Sequence, residues 1–249
     1  MLFPLRDENP LAHPPIATIC LIALNGLAWV FLQGMGSPAA LGESLCVYGL
    51  IPGDLLGTAP PGSGFPIDQE RVCIVNGEGG IQTLLTSMFM HGGWFHLLGN
   101  MWFLWIFGDN VEDAMGPARF AVFYLLCGLA AAAAQTATDP DSAIPMVGAS
   151  GAIGGVMGGY ALLYPRARIL SLFVIVTVSV PAFLMLGYWV LIQFVGSFTT
   201  DASGGGVAFW AHIGGFVAGL ALVLPFRRER LYQEHVALPD REDARYRWF

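Results

Sequence analysis

The chain has 249 residues, of which 55% are hydrophobic and only 12% are charged, about half the share found in soluble globular proteins. This composition excludes an ordinary soluble globular domain. The net charge of −7 and the pI near 5.1 provide no general attraction for phosphate backbones, so nucleic acid is not an expected partner.

Six stretches without Asp, Glu, Lys or Arg are each long enough to cross a bilayer. A spanning helix needs about 20 mostly apolar residues, because about 30 Å of hydrocarbon is crossed at about 1.5 Å per residue. The stretches comprise residues 9–42, 79–108, 120–138, 142–165, 169–200 and 202–226. We therefore predict an all-α, polytopic membrane protein, in which residues 16–226 form one six-transmembrane-helix bundle.

The arginines orient these predicted spans. With the N-terminus inside, every arginine except Arg71 falls on the cytoplasmic side. This orientation agrees with the usual excess of Lys and Arg in the cytoplasmic loops of membrane proteins. This topology predicts a cytoplasmic N-terminal segment at residues 1–15 and a cytoplasmic arginine-rich tail at residues 227–249. The alternative for residues 16–32 is a signal peptide, which we disfavour because their apolar run exceeds the usual length of about 7 to 15 residues.

The longest connection, residues 34–82, is a predicted external loop. Its prolines and glycines favour short, interrupted regular structure. Cys46 and Cys73 both belong to this loop, in a compartment that permits disulfides if it is oxidising, and the sequence leaves the bridged and free forms open. Cys20 and Cys127 fall within predicted spans, where we expect small buried apolar residues.

The fifth stretch is predicted to form a kinked helix. Pro181 lies near the middle of residues 169–195, where it removes one backbone hydrogen bond from the helix. A movable element is the second interpretation of this broken helix.

Ser150 is the candidate nucleophile. It lies in the string GASG, residues 148–151, at the predicted outer start of a span, where free backbone N–H groups and the helix dipole favour negative charge. Glycines repeat there every three or four residues and would allow another helix to approach closely, at Gly148, Gly151, Gly155 and Gly159. The alternative interpretation is that this run is only a packing seam.

His212 is the candidate base, because a serine hydroxyl is a poor nucleophile until a hydrogen-bonded histidine can take its proton. It lies near the outer end of the last span, and Gly215 and Gly219 form a second small-residue face. The two faces predict that these helices pack together and place imidazole beside hydroxyl. The alternative is a histidine satisfied by a backbone carbonyl in a helix interface.

The string HGGWFHLLGN contains His91, His96 and Asn100. His96 and Asn100 are four residues apart, so they share a helix face and can donate hydrogen bonds to a developing oxyanion. Asn100 fits only if its helix continues past Gly108 to about Glu112. Packing is one alternative, and a metal site made by His91, His96 and His212 is another, although the zinc-protease string H-E-x-x-H is absent.

At these residues the chain resembles the rhomboid intramembrane serine proteases. The resemblance consists of HxxxxHxxxN from His91 to Asn100, GxSG around Ser150 and AHxxG at His212. A GxxxExxxG string centred on Glu112 is also similar to that family.

The resemblance implies a serine endopeptidase in which Ser150 is the nucleophile and His212 the general base, with no required carboxylate, cofactor or metal. It implies an oxyanion hole formed by His96, Asn100 and the backbone N–H of Ser150. By the same resemblance, His91 is structural and Glu112 binds a loop.

The resemblance also implies transmembrane-protein substrates, which enter beside the fifth helix and are cleaved near the outer face of a bacterial inner membrane. The partners are therefore such substrates and the lipid bilayer, and both termini are cytoplasmic. Small residues in a locally unwindable helix are the expected cleavage region.

Two departures from the family pattern concern the site and the loop. Some rhomboids have a tyrosine one turn after the serine, against the catalytic ring, where this chain has Gly154. Since no Asp or Glu lies within the charge-free stretches, we expect packing alone to orient His212. The external loop also lacks the tryptophan found in some members.

Two other functions are weighed against the protease. A catalytically inactive rhomboid-like protein that binds or escorts membrane proteins is disfavoured because both Ser150 and His212 are present. A small transporter is disfavoured because the polar residues cluster toward one side of the predicted bundle instead of its midplane.

Overall fold

The computed structural model describes residues 2–60, 62–67, 71–75, 80–199 and 207–238. The helices in this part of the chain are α1 (Ile16–Phe31), α2 (Pro38–Tyr48), α3 (Pro52–Leu56), α4 (Thr83–Thr86), α5 (Trp94–Met115), α6 (Pro117–Thr138), α7 (Ser150–Leu163), α8 (Ala182–Thr199), α9 (Phe209–Phe226) and α10 (Glu229–Val236). The strands are β1 (Leu2–Asp7), β2 (Gly64–Pro66), β3 (Val72–Ile74), β4 (Arg168–Phe173) and β5 (Val176–Pro181). The last residues of the predicted arginine-rich tail, 239–249, lie outside the described part.

Helix α7 forms the centre of the bundle and packs against α5, α6 and α9. Its residues from Gly151 to Tyr160 are all buried. A methyl group at Gly215 of α9 would overlap the backbone carbonyl of Gly151, and one at Gly219 would overlap that of Gly155. The predicted pairing of two glycine faces is therefore confirmed, and it lets the backbones of α7 and α9 touch.

The protein is a mostly helical membrane protein, but the predicted count of six spans is not confirmed. The longest helix in each of the six stretches is α1, α5, α6, α7, α8 or α9 in turn. Among the described helices, three are long and apolar enough to cross a membrane by themselves: α6, α8 and α9. Helices α1 and α7 are apolar but shorter. Helix α5 has 22 residues, but its last turns contain Asp109, Glu112 and Asp113.

The fifth predicted span is wrong over its first half. Residues 168–181 form the hairpin β4–β5, and α8 begins at Ala182, directly after Pro181. Residues 174–180 read Val-Ile-Val-Thr-Val-Ser-Val, and such β-branched residues favour a strand over a helix. Pro181 therefore ends a strand, and no kinked helix forms over residues 169–195.

A three-stranded antiparallel sheet further corrects the all-α prediction. Strand β4 lies between β1 and β5, with Leu2 opposite Phe173 and Phe173 opposite Val176. A second sheet consists of the short hairpin β2–β3 in the predicted external loop. Hydrophobic windows identify apolar segments but do not distinguish a buried strand from a spanning helix.

The N-terminal segment runs along α5. The indole Nε1–H of Trp102 donates to the carbonyl of Pro4 at 2.8 Å, and the backbone N–H of Ala12 donates to the carboxylate of Asp113 at 2.8 Å. Residues 102 and 113 of a helix are separated by about 17 Å along its axis. Strand β1 therefore lies level with the middle of α5.

Glu112 fastens the start of α1 to the end of α5. Its carboxylate accepts hydrogen bonds from the backbone N–H groups of Ala17 and Thr18 and from the hydroxyl of Thr18, each at 2.8 Å. A carboxylate is favourable there because the first N–H groups of a helix have no partner within the helix. The role of Glu112 in this chain is therefore to cap a helix, where the family resemblance implied a contact with a loop.

The external loop contains short elements, as predicted, and a disulfide bond. Cys46 of α2 is bonded to Cys73 of β3, with 5.7 Å between the Cα atoms. This bond resolves the pairing that the sequence left open. Cys127 is buried as expected, but the expectation is wrong for Cys20, which is exposed because it lies on the outward face of α1.

Candidate active site

Ser150 is the first residue of α7. The chain enters the helix through Gly148, whose φ of +126° is a conformation that side chains rarely adopt. The backbone N–H of Gly148 donates to the carbonyl of Ser87 at 2.9 Å, which holds this turn in place. The turn places the Ser150 hydroxyl beside the unpaired N–H groups of the first turn of α7.

The side chains of Ser150 and His212 are in direct contact. His212 lies in the first turn of α9, and its Nε2 is 2.7 Å from the Oγ of Ser150. The close packing of α7 and α9 brings these two residues together across 62 positions of sequence. The spatial pairing that the glycine faces predict is therefore present.

Helix α8 supplies two contacts to His212 that the sequence analysis missed. The Oε1 of Gln193 is 2.7 Å from the Nδ1 of His212, and the indole of Trp189 lies 5.7 Å from the imidazole between ring centroids. A Cβ atom at Gly154 would lie 3.6 Å from the Trp189 ring and 2.9 Å from the carbonyl of His212. The expectation that packing alone orients His212 is therefore wrong.

A signal for Gln193 was present in the sequence. It is the only carboxamide in the apolar segment of α8, and polar side chains inside membrane spans require a partner. Trp189 carries no such signal, because an aromatic residue in a spanning helix is ordinary.

His96 and Asn100 converge on the turn before Ser150. A Cβ atom at Gly148 would lie 2.7 Å from the Nε2 of His96 and 3.5 Å from the Nδ2 of Asn100. The Nδ1 of His96 accepts a hydrogen bond from the backbone N–H of Gly92 at 3.2 Å, so the proton of the neutral ring is on Nε2. Both groups can therefore donate toward the same space.

The side-chain amide of Asn100 has unused donor capacity. Its Nδ2 is buried and has no acceptor among the described residues. A buried donor without a partner is costly, which indicates a group kept for a ligand. Helix α5 continues to Met115, as the placement of Asn100 required.

His91 is held through its backbone. Its N–H donates to the Oε1 of Gln33 at 2.9 Å, and its carbonyl accepts from the Nε2 of Gln33 at 2.8 Å. Its ring lies 5.1 Å from that of His96 in an edge-to-face arrangement. In the described ranges, no three His, Cys, Asp or Glu side chains come close enough to hold a metal ion, so the alternative three-histidine site is not formed.

Ser150 lines one cavity, and a second cavity adjoins the first. The smaller has a volume of about 20 Å³ and is lined mainly by small residues, including Gly128, Ala131, Ala132, Gly151 and Ala211. The larger has a volume of about 400 Å³ and lies between the end of α6 and the start of α9. Met146 and Ala208 line both cavities, so the two spaces adjoin.

Comparison with known proteins identifies the family. A family model for the rhomboid domain matches residues 78–229. The chain is 32% identical over 147 residues to "Rhomboid protein 1, mitochondrial" of Saccharomyces cerevisiae, which covers 55% of this chain and 40% of that protein. It is 28% identical over 172 residues to "RHOMBOID-like protein 5" of Arabidopsis thaliana, which covers 68% of this chain and 52% of that protein.

A bacterial relative is also similar. The chain is 35% identical over 162 residues to "Rhomboid protease GluP" of Bacillus subtilis, which covers 63% of this chain and 29% of that protein. The chain spans about half or less of the length of these curated relatives. The family match extends over more than half of the chain and includes all of the predicted site residues. The chain therefore belongs to the rhomboid family.

Proposed function

We propose that this protein is an intramembrane serine endopeptidase, which cleaves transmembrane proteins through a dyad of Ser150 and His212. The observation that carries the proposal is the 2.7 Å contact between the Ser150 Oγ and the His212 Nε2. This contact is within the range of a hydrogen bond between a nucleophile and its general base. The name of the Bacillus subtilis relative, a rhomboid protease, is consistent with it.

In the proposed reaction, Ser150 Oγ attacks the carbonyl carbon of the scissile peptide while His212 Nε2 takes the hydroxyl proton. The negative charge that develops on the carbonyl oxygen is stabilised by donors from α5 and from the start of α7. These donors are the His96 Nε2–H, the Asn100 Nδ2–H and the backbone N–H of Ser150. His212 then transfers its proton to the leaving amine, and water hydrolyses the acyl-enzyme on Ser150 by the same steps.

The small cavity beside Ser150 favours substrates with a small side chain at the cleavage site. At about 20 Å³ it is lined mainly by glycine and alanine and has no room for a bulky group. A peptide bond inside a helix keeps its carbonyl hydrogen-bonded, so the substrate must also unwind locally to expose it. Helices rich in small residues satisfy both requirements.

The membrane placement of the proposed site follows from the length of α7. A helix of 14 residues rises about 21 Å, less than the hydrocarbon thickness of about 30 Å. Ser150 therefore lies below the membrane surface if the opposite end of α7 reaches the other surface. We assign the Ser150 side to the outer face, because the disulfide-bonded loop is on that side and Arg166 and Arg168 follow the other end of α7.

A bacterial inner membrane with the C-terminal tail in the cytoplasm is the location that fits this assignment, and Ala12, which precedes α1, meets the same side of the bundle at Asp113. Arg227, Arg228 and Arg230 lie directly after α9, where they would face anionic lipid headgroups. The proposed partners are the surrounding bilayer and its transmembrane proteins.

Labelling with a serine-directed fluorophosphonate probe tests the proposal. We expect the purified protein to be labelled, and we expect Ser150→Ala and His212→Ala to abolish labelling. Ser197→Ala on α8 is the matched control, since the Ser197 hydroxyl donates only to its own helix at the carbonyl of Phe194. Equal labelling of the wild type and Ser150→Ala would contradict the proposal, and a folded wild type that stays unlabelled would favour the inactive rhomboid-like alternative.

A further inference from the structure

Gln193 is a buried polar residue in a helix that is otherwise apolar around it. Only 7% of its surface is exposed, whereas its neighbour Phe194 is 49% exposed. Helix α8 buries a smaller share of its spanning segment than α6 or α9, so most of its surface faces away from the bundle. The burial of one carboxamide on such a helix requires a specific partner.

The partner of Gln193 is the ring nitrogen of His212 on the side away from Ser150. For the Ser150 hydroxyl to donate to Nε2, that nitrogen must be unprotonated, so the neutral imidazole carries its proton on Nδ1. The carbonyl oxygen of Gln193 can only accept a hydrogen bond, and it is 2.7 Å from Nδ1. The contact with Gln193 therefore matches the tautomer that Ser150 needs.

Trp189 completes the contact of α8 with the imidazole. It precedes Gln193 by four residues, so both side chains project from the same face of the helix. The Trp189 ring is tilted by 37° to the ring of His212, against the face of the imidazole. A Cβ atom at Gly154 would lie 3.6 Å from this indole, so the Trp189 ring packs against α7 at that residue.

We propose that Gln193 is a positioning residue, which holds His212 in the tautomer and orientation that let Nε2 take the proton of Ser150. This inference rests on the proposed function and extends it. In the part of the chain that the structure describes, no carboxylate contacts the Nδ1 of His212, and the side-chain carbonyl of Gln193 is a neutral acceptor in that position. A neutral acceptor avoids the cost of burying a charge in an apolar helix bundle. The position of α8 thereby affects the geometry of the dyad.

Two variants of Gln193 separate the hydrogen bond from the packing. Gln193→Met keeps the length of the side chain but removes the acceptor, whereas Gln193→Glu keeps both the length and an acceptor oxygen. Phe194→Leu, at the adjacent and exposed position, is the control for a change in α8 that leaves His212 untouched.

The assays use the full chain in detergent micelles. A synthetic transmembrane peptide with an alanine- and glycine-rich centre, labelled with a dye and a quencher, gives kcat and KM, and the fluorophosphonate probe gives the rate of acylation. Thermal unfolding of each variant reports whether the bundle is intact. All rates are divided by the folded fraction, so that partial unfolding does not imitate a catalytic defect.

We expect Gln193→Met to lower kcat and the probe rate roughly 10- to 100-fold while KM changes less than about twofold. We expect Gln193→Glu to retain at least tenfold more activity than Gln193→Met, and Phe194→Leu to match the wild type. A wild-type kcat in Gln193→Met would overturn the inference, and so would equal losses in the Met and Glu variants. A wild type that does not react with the probe would overturn the proposed function itself, so the two failures are distinguishable.

Discussion

The contact between the glycine faces of α7 and α9 can be tested by a single methyl group. In Gly215→Ala, the new Cβ atom would overlap the backbone carbonyl of Gly151. Neither group can rotate away, so the two helices must separate by about 1 Å or more. The hydrogen bond between Ser150 and His212, now 2.7 Å, would lengthen to about 3.7 Å, beyond the usual range.

We therefore expect Gly215→Ala to lower the rate of fluorophosphonate labelling about 100-fold, because a misplacement of about 1 Å can cost that much in catalysis. We also expect the free energy of unfolding to fall by about 1 to 3 kcal/mol, the usual cost of overpacking a core. The labelling rate is measured by quenching at timed intervals, and the stability by thermal unfolding in micelles.

Gly187→Ala is the matched control for this prediction. It makes the same chemical change in a spanning helix, but a Cβ atom at Gly187 of α8 meets no atom within 4 Å. The control should retain the labelling rate and the stability of the wild type. If Gly215→Ala behaved like Gly187→Ala in both assays, the argument that direct backbone contact sets the distance within the dyad would be refuted.

Four further outcomes are expected. Asn100→Ala should lower kcat about 100-fold or more without lowering the melting temperature, since its Nδ2 has no acceptor among the described residues; an unchanged kcat would remove Asn100 from the oxyanion hole. Replacing Cys46 by serine should lower the free energy of unfolding by about 2 to 4 kcal/mol, and alkylation of the wild type should add mass at both loop cysteines only after reduction. Asp113→Ala should cost about 3 kcal/mol in thermal unfolding, because this buried carboxylate accepts hydrogen bonds from the rings of His13 and His235, each at 2.7 Å; a loss below about 1 kcal/mol would contradict that role. The tip of the hairpin β4–β5 adjoins the start of β1, which is level with the middle of α5, so we expect this tip to lie within the bilayer. The fluorescence of a bimane dye on Ile175→Cys, in a Cys20→Ser background, should therefore be quenched by nitroxide on the lipid chains and not by aqueous iodide.

The position of the buried acidic groups illustrates a limit of reasoning from one sequence. The resemblance indicated a structural role for Glu112, and the structure shows it bonded to the first turn of α1. The two residues of that contact are separated by more than 90 positions. A carboxylate beside a span is visible in the sequence, but the helix end that it meets depends on how the bundle closes.

The apolar stretches, the glycine faces and the motif residues were predictable because each is a local pattern. Hydrophobicity and length indicate a membrane helix wherever the segment lies, and glycines at helical spacing indicate close packing without naming the partner. These patterns were sufficient to predict that Ser150 and His212 lie together, whereas the extension of α5 past Gly108 was only a condition for the placement of Asn100. They also predicted irregular structure in the external loop.

Only the tertiary structure decided three other features. The apolar run that contains Pro181 forms a hairpin because β1, more than 160 positions earlier, provides a strand for it to pair with. Cys46 pairs with Cys73 because α2 and β3 lie next to each other. Gln193 contacts His212 because α8 packs against α9. The hydrogen-bond partners of buried groups depend on distances in space, which a sequence pattern does not contain. The sequence by itself therefore determined which residues are able to react, and the packing of the helices determined which residues orient them.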